Sequence, residues 1–400
     1  MNVTSGSCLR ECTSCQMCSA VCPVDAIKFS LNTDGFYRPS VDSSCIDCGK
    51  CIKVCYKYDE GIRTTSDDSL RTRYKLYGAY IKDRNVLEEC TSGGIADLLA
   101  MHLYIAGYSC IGVIYDIKKN IARSICAKNI DDIKQFRGSK YIQAYNVDTF
   151  KTLVKNARTQ KFAVFGLPCQ IYAIDRFLRL VGKRDQCLLI DLFCHGCPSM
   201  NLWTKYLNSM VDTNKLQSIS FRDKKYGWGI GYNIKFNLKN KEIVSGKIGK
   251  DLFFRMFFSD LVLNDSCYNC LTRSTFEYTD IRLGDFWGNI YSSSDSGVSA
   301  VVIITKQASE VWEQIKSNTY CEVRSFNELL PYQSWGKTYQ IDINLRNQLL
   351  SQLIEPNLNI EDIYHSYYKE LSLTGKIKLL LKDILFTSPN LVRLIKRMRK

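Results

Sequence analysis

The sequence predicts an α+β / mixed α/β protein: a small cysteine-rich unit in front, a mixed α/β body, and a basic helical tail. Three observations carry this expectation. Nine cysteines crowd residues 8–55. From Tyr77 onward, apolar segments alternate between helical and extended periodicity. Residues 375–400 hold eight Lys and Arg side chains against one acid, Asp383.

Size and composition narrow the classes. The 400 residues are 46% hydrophobic and 24% charged, which is ordinary globular composition and excludes a disordered or collagen-like chain. A chain of this length, enough for two to three domains, buries a large core and needs no cross-links. Its 19 cysteines therefore point to chemistry. No basic segment followed by an apolar stretch opens the sequence, and no run approaches the roughly 18 apolar residues of a membrane-spanning helix. A cytoplasmic, reducing location is expected, with metal or redox centres in place of disulfides. Half of the net charge of +14 lies in residues 375–400, and the body shows no base-stacking motif. Nucleic acid is not an expected partner.

The front unit, residues 1–60, carries Cys12-x2-Cys15-x2-Cys18-x3-Cys22-Pro23 and then Cys45-x2-Cys48-x2-Cys51-x3-Cys55. This is the spacing of bacterial two-cluster ferredoxins. Two residues between ligands wrap the backbone around one face of a cubane, with amides aimed at its sulfides, and the fourth cysteine leaves the wrap for the other cluster. Cys12, Cys15, Cys18 and Cys55 are thus assigned to one 4Fe-4S centre, and Cys45, Cys48, Cys51 and Cys22 to a second. Structural zinc, the alternative, usually takes two separated pairs, not three thiolates within seven residues. Tyr56 stands where many ferredoxins have a second proline, and Cys8 has no assigned role.

Residues 61–74 read as a linker through the polar stretch Thr64–Ser69. Ile95, Leu98, Leu99, His102 and Leu103 mark one face of a helix ending at Gly107. Strands are expected at Cys110–Tyr115, Lys161–Gly166, Cys187–Phe193, Ile281–Phe286 and Val298–Thr305. Helices are expected at Asn146–Gln160, at Ile171–Val181 and from Pro198. Tyr232, Ile234, Phe236 and Leu238 alternate as in a half-exposed antiparallel strand. The preceding Gly227-x-Gly229-x-Gly231 opens no helix, so it reads as a hairpin turn and not as a dinucleotide fingerprint. Cys90, Cys110, Cys126, Cys187 and Cys321 read as core thiols.

Five segments of the body stand out together: Thr91-Ser92-Gly93-Gly94, Arg137-Gly138-Ser139-Lys140-Tyr141, Phe165-Gly166-Leu167-Pro168-Cys169-Gln170, Phe193-Cys194-His195-Gly196-Cys197-Pro198-Ser199, and Cys267-Tyr-Asn-Cys270 followed by Asp280-Ile281-Arg282-Leu283-Gly284-Asp285-Phe286-Trp287-Gly288. In this order they resemble the beta-subunit family of coenzyme F420 hydrogenases and dehydrogenases over about residues 75–320. The resemblance implies a flavoprotein body, with a flavin-binding part at 75–155 and a C-terminal part at 156–340. Members carry FAD and pass electrons between iron–sulfur clusters and a two-electron carrier. Carried over by position, Ser92, Gly93, Gly94, Ser139 and Lys140 would border the flavin. A Ser-Gly-Gly turn opening a helix suits a phosphate or ring oxygen, although Thr91–Gly94 alone would read as a plain helix start. Cys169, Cys194, Cys267 and Cys270 resemble the ligand set of a third 4Fe-4S cluster. Cys197 competes with Cys194, and buried thiols or a zinc site are the alternatives. His195 reads as a loop-fixing residue, with a titrating role as the second option.

Two functions compete. One is a flavin-dependent oxidoreductase acting on a small-molecule carrier or substrate, coenzyme F420-like or unidentified. The other is an electron-transfer subunit that docks on a separate catalytic protein and holds no substrate itself; a ferredoxin or other redox partner protein is expected in either case, and some relatives lie beside sugar-polymer biosynthesis genes. The segment 341–400 is expected to be a helical basic tail. Ile377, Leu380, Leu381, Ile384 and Leu385 recur at helical spacing, and Ser388-Pro389 would start a second helix bearing Leu391, Leu394, Ile395 and Met398. Residues 372–400 are either packing helices with a solvated basic face or a peripheral attachment to the inner membrane surface or an acidic partner.

Overall fold

A computed structural model describes residues 1–6, 8–229, 232–246 and 250–385. Gly231 and the helix expected from Ser388 lie outside the described residues. The front unit has little regular structure, because thiols and turns occupy most of its length. It holds one antiparallel hairpin, β1 (Ile27–Leu31) and β2 (Tyr37–Val41), and two four-residue helices, Met17–Ala20 and Lys50–Lys53.

The body is organised by strands β3 (Lys75–Ile81), β4 (Ser109–Asp116), β5 (Ile121–Cys126), β6 (Ala144–Tyr145), β7 (Phe162–Phe165), β8 (Leu188–Leu192), β9 (Leu216–Ser220), β10 (Lys235–Leu238), β11 (Glu242–Val244), β12 (Ile281–Asp285), β13 (Ser299–Ile303) and β14 (Thr319–Arg324). Nine of them form one mixed sheet in the order β14-β3-β13-β12-β8-β7-β4-β5-β6. Its centre, β12-β8-β7-β4, is parallel. The runs Phe-Ala-Val-Phe and Leu-Leu-Ile-Asp-Leu of β7 and β8 are almost wholly apolar because helices cover both faces of such a sheet. Antiparallel β13, β3 and β14 extend one edge. A separate antiparallel sheet, β11-β10-β9, contains the expected alternating strand, with Phe236 and Leu238 buried between half-exposed neighbours.

Two expected boundaries look different in three dimensions. The polar stretch 64–69 is docked: Ser66 caps a short helix, Asp67–Thr72, and Thr65 bonds to both Ser274 and Phe276. The front unit also shares a core with the body, since Met17, Val54 and Tyr56 pack with Phe150, Ile171 and Tyr172. At the other end, helices Ile343–Ile354 and Ile360–Glu370 bury Leu349, Leu350, Leu353, Ile360 and Ile363 beside Trp203 and Phe253. Basic charge alone did not reveal that this part of the expected tail is body.

Candidate functional site

The two cysteine runs bend their backbones alike. Ser14 and Asp47, each just before the second thiol of its run, have φ of 58° and 48°. Gln16 and Gly49, each just after it, have φ of 71° and 70°. Left-handed backbone at Ser, Asp and Gln is uncommon and strained, and its recurrence at matched positions of both runs calls for a shared cause. Successive amides in such turns form a concavity for an anion, a geometry common around iron–sulfur clusters. Amides already point at sulfur: Ser14 N–H donates to Cys12 Sγ at 3.4 Å and Ala26 N–H to Cys22 Sγ at 3.3 Å.

The thiols sort as expected from their spacing. Cys22, Cys45, Cys48 and Cys51 line one cleft, with Pro23, Ile27 and Gly49 between them. Cys12, Cys15, Cys18 and Cys55 crowd a second point. Burial raises the Cys15 thiol to about 11 and Cys55 to about 12, and the thiols of this group push one another further up. Cys18 is driven well above its ordinary range by burial and then by Cys15, Cys12 and Cys55. Cys8 is half-buried beside Lys57 and does not line the cleft of Cys22, Cys45, Cys48 and Cys51. Among the described residues, no three His, Cys, Asp or Glu side chains converge as they would on a single metal ion.

The body thiols meet at the carboxyl ends of the parallel strands, where open α/β sheets place their ligands. Cys169 does not sit on a loop, as its strand–loop context suggested. It is in the first turn of helix Pro168–Leu180, which starts right after β7 because Pro168 suits the first helical position and Gln170 Oε1 accepts the Leu167 N–H at 2.8 Å. Cys194 follows the adjacent β8, and Cys267 and Cys270 come from the segment before β12. All four, with Cys197, line one cavity with about 570 Å³ of space between atoms, its open mouth included. Thr13 and Ser14 of the front unit line it too. Burial puts Cys169 well above its ordinary range, and Cys270, Cys15, Cys194 and Cys267 add to the effect in that order. Cys15 of the front unit and Cys169 of the body are therefore electrostatic neighbours.

One charged side chain lines this cavity: Arg273. It is 3% exposed. Its guanidinium donates to the carbonyls of Lys337, His195 and Cys267 at 2.9, 2.9 and 2.7 Å and lies 4.7 Å from the centre of the Tyr339 ring. Its Nε has no hydrogen-bond partner, and among the described residues no carboxylate pairs with it. A buried cation without a counter-charge is strongly unfavourable. A cavity walled by five thiols and one unpaired guanidinium fits an anionic occupant, and a thiolate-ligated cluster is one. Arg282, bidentate to buried Asp191 at 2.7 and 2.5 Å, holds this wall in place by donating to the carbonyls of Arg273 and Thr272.

Tyr56 has a structural reason to replace a proline. It is 1% exposed, packs edge-on to Tyr172 with ring centres 6.0 Å apart, and accepts the Leu271 N–H at 3.0 Å. The residue after Cys55 is thereby bonded to the residue after Cys270. His195 is pinned by Asp260, with Nε2 to Oδ1 at 2.7 Å, while its carbonyl accepts from Tyr339 Oη at 2.9 Å, which accords with a loop-fixing role. Cys90, Cys110 and Cys187 are buried thiols, and Cys126 and Cys321 are half-buried.

The flavin-side residues form a different kind of place. Ser139 N–H donates to Thr91 Oγ1 at 2.9 Å, which sets the 91–94 and 138–140 turns side by side. Gly93 must be glycine, since a Cβ there would lie 2.3 Å from the Ala79 carbonyl. Gly94, at φ +78°, starts helix Ile95–Ile105. Two expected donors are already engaged: Gly93 N–H binds Ser299 Oγ at 3.0 Å, and Ser92 Oγ donates to the Val298 carbonyl at 3.0 Å. Lys140 points elsewhere. Its Nζ donates to the carbonyls of Gln135, Phe136 and Arg137, at the end of helix Ile130–Lys134, and burial lowers it to about 7. The cation that reaches the Ser92 turn is Lys224, bonded to the carbonyls of Leu87, Ser92 and Ser296 at 2.8, 3.1 and 2.5 Å and lowered by burial to about 8. Beside it, Asp285 accepts from Arg222 and from Trp228 Nε1, and Trp228 stacks on Trp287 at 4.8 Å. Sequence reasoning passed over Lys224, Arg222 and Trp228, and only Asp285 and Trp287 lay inside a recognised segment.

Comparison with known proteins agrees with this division. Residues 159–328 match the family described as the C terminus of the coenzyme F420 hydrogenase/dehydrogenase beta subunit, and residues 11–59 match the 4Fe-4S dicluster domain. A ferredoxin-like protein in the nif region of Nostoc sp. is 32% identical over 65 residues, which are 13% of this chain and 56% of that protein. The chain thus spans about half the length of the curated relative it matches. The F420-reducing NiFe hydrogenase complex of Methanosarcina barkeri, solved as a xenon derivative, is similar in structure with a TM-score of 0.47 and 17% identity over 78% of this chain and 97% of that one. No helix among the described residues is long and apolar enough to cross a membrane. Two parts of the chain thus match known families, an N-terminal segment the 4Fe-4S dicluster domain and a body segment the C terminus of the coenzyme F420 hydrogenase/dehydrogenase beta subunit.

Proposed function

We propose that the protein is an iron–sulfur flavoprotein oxidoreductase with three 4Fe-4S clusters. Cys12, Cys15, Cys18 and Cys55 hold one, Cys22, Cys45, Cys48 and Cys51 the second, and Cys169, Cys194, Cys267 and Cys270 the third. The observation that carries this reading is the body cavity, where thiols from three separated segments surround a space with an unpaired arginine, against Thr13 and Ser14 of the front unit. Clusters exchange single electrons, and a flavin exchanges one or two. FAD bordered by Ser92, Gly93, Gly94 and Ser139 would therefore link the clusters to a two-electron carrier such as coenzyme F420 or a related small molecule. Lys224 takes the place expected of Lys140 as the cation at that border. A ferredoxin or other redox protein would meet the second cluster, whose cleft opens at the surface.

Protein purified without oxygen should hold about twelve iron atoms per chain, as three four-iron clusters. Replacing Cys169 or Cys194 by Ser should bring this to about eight, and replacing Cys197 should leave it unchanged. Loss of iron from Cys197→Ser with none from Cys194→Ser would reassign the ligand. Stoichiometric zinc would end the scheme. Flavin is read separately, by its absorbance and fluorescence after release. Lys224→Met should lower flavin retention more than Lys140→Met does. A protein with full iron that takes up no FAD favours the second reading, an electron-transfer subunit docked on a separate catalytic protein.

A further inference from the structure

We propose that helix Leu373–Leu385 seats the protein on an anionic lipid surface. The helix is tied to the body along one side. Asp383 pairs with Arg255 of helix Leu252–Phe257, and Lys376 Nζ donates to the Lys369 carbonyl at 2.8 Å while lying 5.8 Å from the Tyr368 ring centre. Those bonds fix which face looks outward, and the outward face is the apolar one. Leu373, Ile377, Leu380, Leu381 and Ile384 are 75, 45, 57, 54 and 52% exposed. They fall at i, i+4, i+7, i+8 and i+11, which places them in a single strip along the helix. A contiguous apolar strip of this kind on an otherwise ordinary surface marks a contact with a partner or a membrane.

Charge selects among the occupants. Exposed Lys378 borders the strip, and residues 386–400 add five Lys and Arg and no acid. A two-fold contact between copies of this chain through the helix would set these like charges against each other. An anionic bilayer satisfies both features, since the leucines enter the boundary between headgroups and acyl chains while Lys378 stays among the phosphates and the basic composition of the following segment adds to the attraction. With no spanning helix among the described residues, the contact is one of lying on the surface. It is independent of the redox chemistry and leaves the thiol cavity untouched.

The test is sedimentation of the full chain with vesicles. Equal parts of phosphatidylcholine and phosphatidylglycerol should carry the protein down, and pure phosphatidylcholine should carry about tenfold less. The double variant Leu380→Glu/Leu381→Glu changes two exposed side chains, so the fold is kept, as circular dichroism and iron content would verify, and vesicle binding should be lost. Raised salt should weaken wild-type binding. Equal binding to neutral vesicles, undiminished binding by the double variant, or no binding to either vesicle would each overturn the proposal. The last outcome would point to an acidic protein groove instead.

Discussion

In the front unit, eight thiols come from two contiguous runs, and left-handed backbone at Ser14, Gln16, Asp47 and Gly49 folds each run about its own centre. In the body, five thiols reach one cavity from the turn after β7, the loop after β8 and the segment before β12. The first arrangement is local and strained. The second is long-range and carried by a sheet whose strands would be there without any metal. The difference sets an expectation of where metal and fold depend on each other: the front unit should need its clusters to stay folded, and the body should need only its hydrophobic core.

The largest expected effect follows. Removing iron with a chelator should unfold residues 12–55, because metal binding supplies much of the folding free energy of so small and turn-rich a unit. Amide exchange there should approach that of a free chain, while β4, β7 and β8 stay protected. Equal loss of protection in both regions would break the comparison. Equal retention would show that the shared core of Met17, Val54 and Tyr56 with Phe150 and Ile171 suffices to hold the front unit.

The body's own weak point is a charge pair. Arg282 and Asp191 are 1 and 2% exposed at their side chains, and taking away one partner strands the other. Arg282→Met should lower stability by about 3–5 kcal/mol, measured by urea unfolding. It should also lower the iron bound in the body cavity, because Arg282 supports the carbonyls of Thr272 and Arg273. A stable Arg282→Met protein with full iron would show that the cavity wall stands by itself.

Arg273 sharpens the contrast within the body site. A buried cation favours the more negative, reduced form of a neighbouring cluster, so Arg273→Gln should lower that cluster's reduction potential. Hydrogen bonds to charged groups are worth about 1.5–3 kcal/mol, on the order of 100 mV for a one-electron couple at about 59 mV per tenfold. Arg273→Lys keeps the charge and should recover most of the shift. Redox titration followed by electron paramagnetic resonance would read the proposed body cluster beside the two front ones, whose potentials should not move. An unchanged potential in Arg273→Gln at full iron would remove the arginine from the redox account.

What the chain's order revealed follows the same division. The cysteine runs were legible because ligand spacing is a local property, and the structure brings Cys22 to the same cleft as Cys45, Cys48 and Cys51. Strands β4, β7, β8 and β13 were legible because buried central strands are largely apolar runs. Strands β3, β5 and β14, in the outer parts of the sheet, were not, since Lys75–Ile81 and Thr319–Arg324 mix exposed and buried positions and gain their identity from pairing with distant segments. Arg273 and Lys224 carry no sequence signal at all. A lone basic residue between motifs reads as surface, and only the folded chain shows one facing thiols and the other reaching the Ser92 carbonyl. Lys140 is the converse case. Its motif was visible, and its amine turned out to close the end of a neighbouring helix.

Tyr56 belongs to both regions, and it gives the smallest and most discriminating effect. It follows Cys55 in the front unit, yet its ring lies in the body core and its hydroxyl accepts the Leu271 N–H beside Cys270. Tyr56→Phe keeps the ring and its edge-on contact with Tyr172 and removes only the hydroxyl. The loss should be about 1 kcal/mol, the net worth of one hydrogen bond to the half-buried Leu271, with iron content unchanged. Tyr56→Pro, which restores the common ferredoxin residue, removes the ring as well and should cost about 3–5 kcal/mol, in the range of large-to-small changes in a packed core. If the front unit were merely tethered to the body, both variants would be equally mild. If it is docked through this side chain, the two should differ by severalfold, and electron transfer from the front clusters to the proposed body cluster, followed by rapid mixing with dithionite, should slow in Tyr56→Pro and change little in Tyr56→Phe.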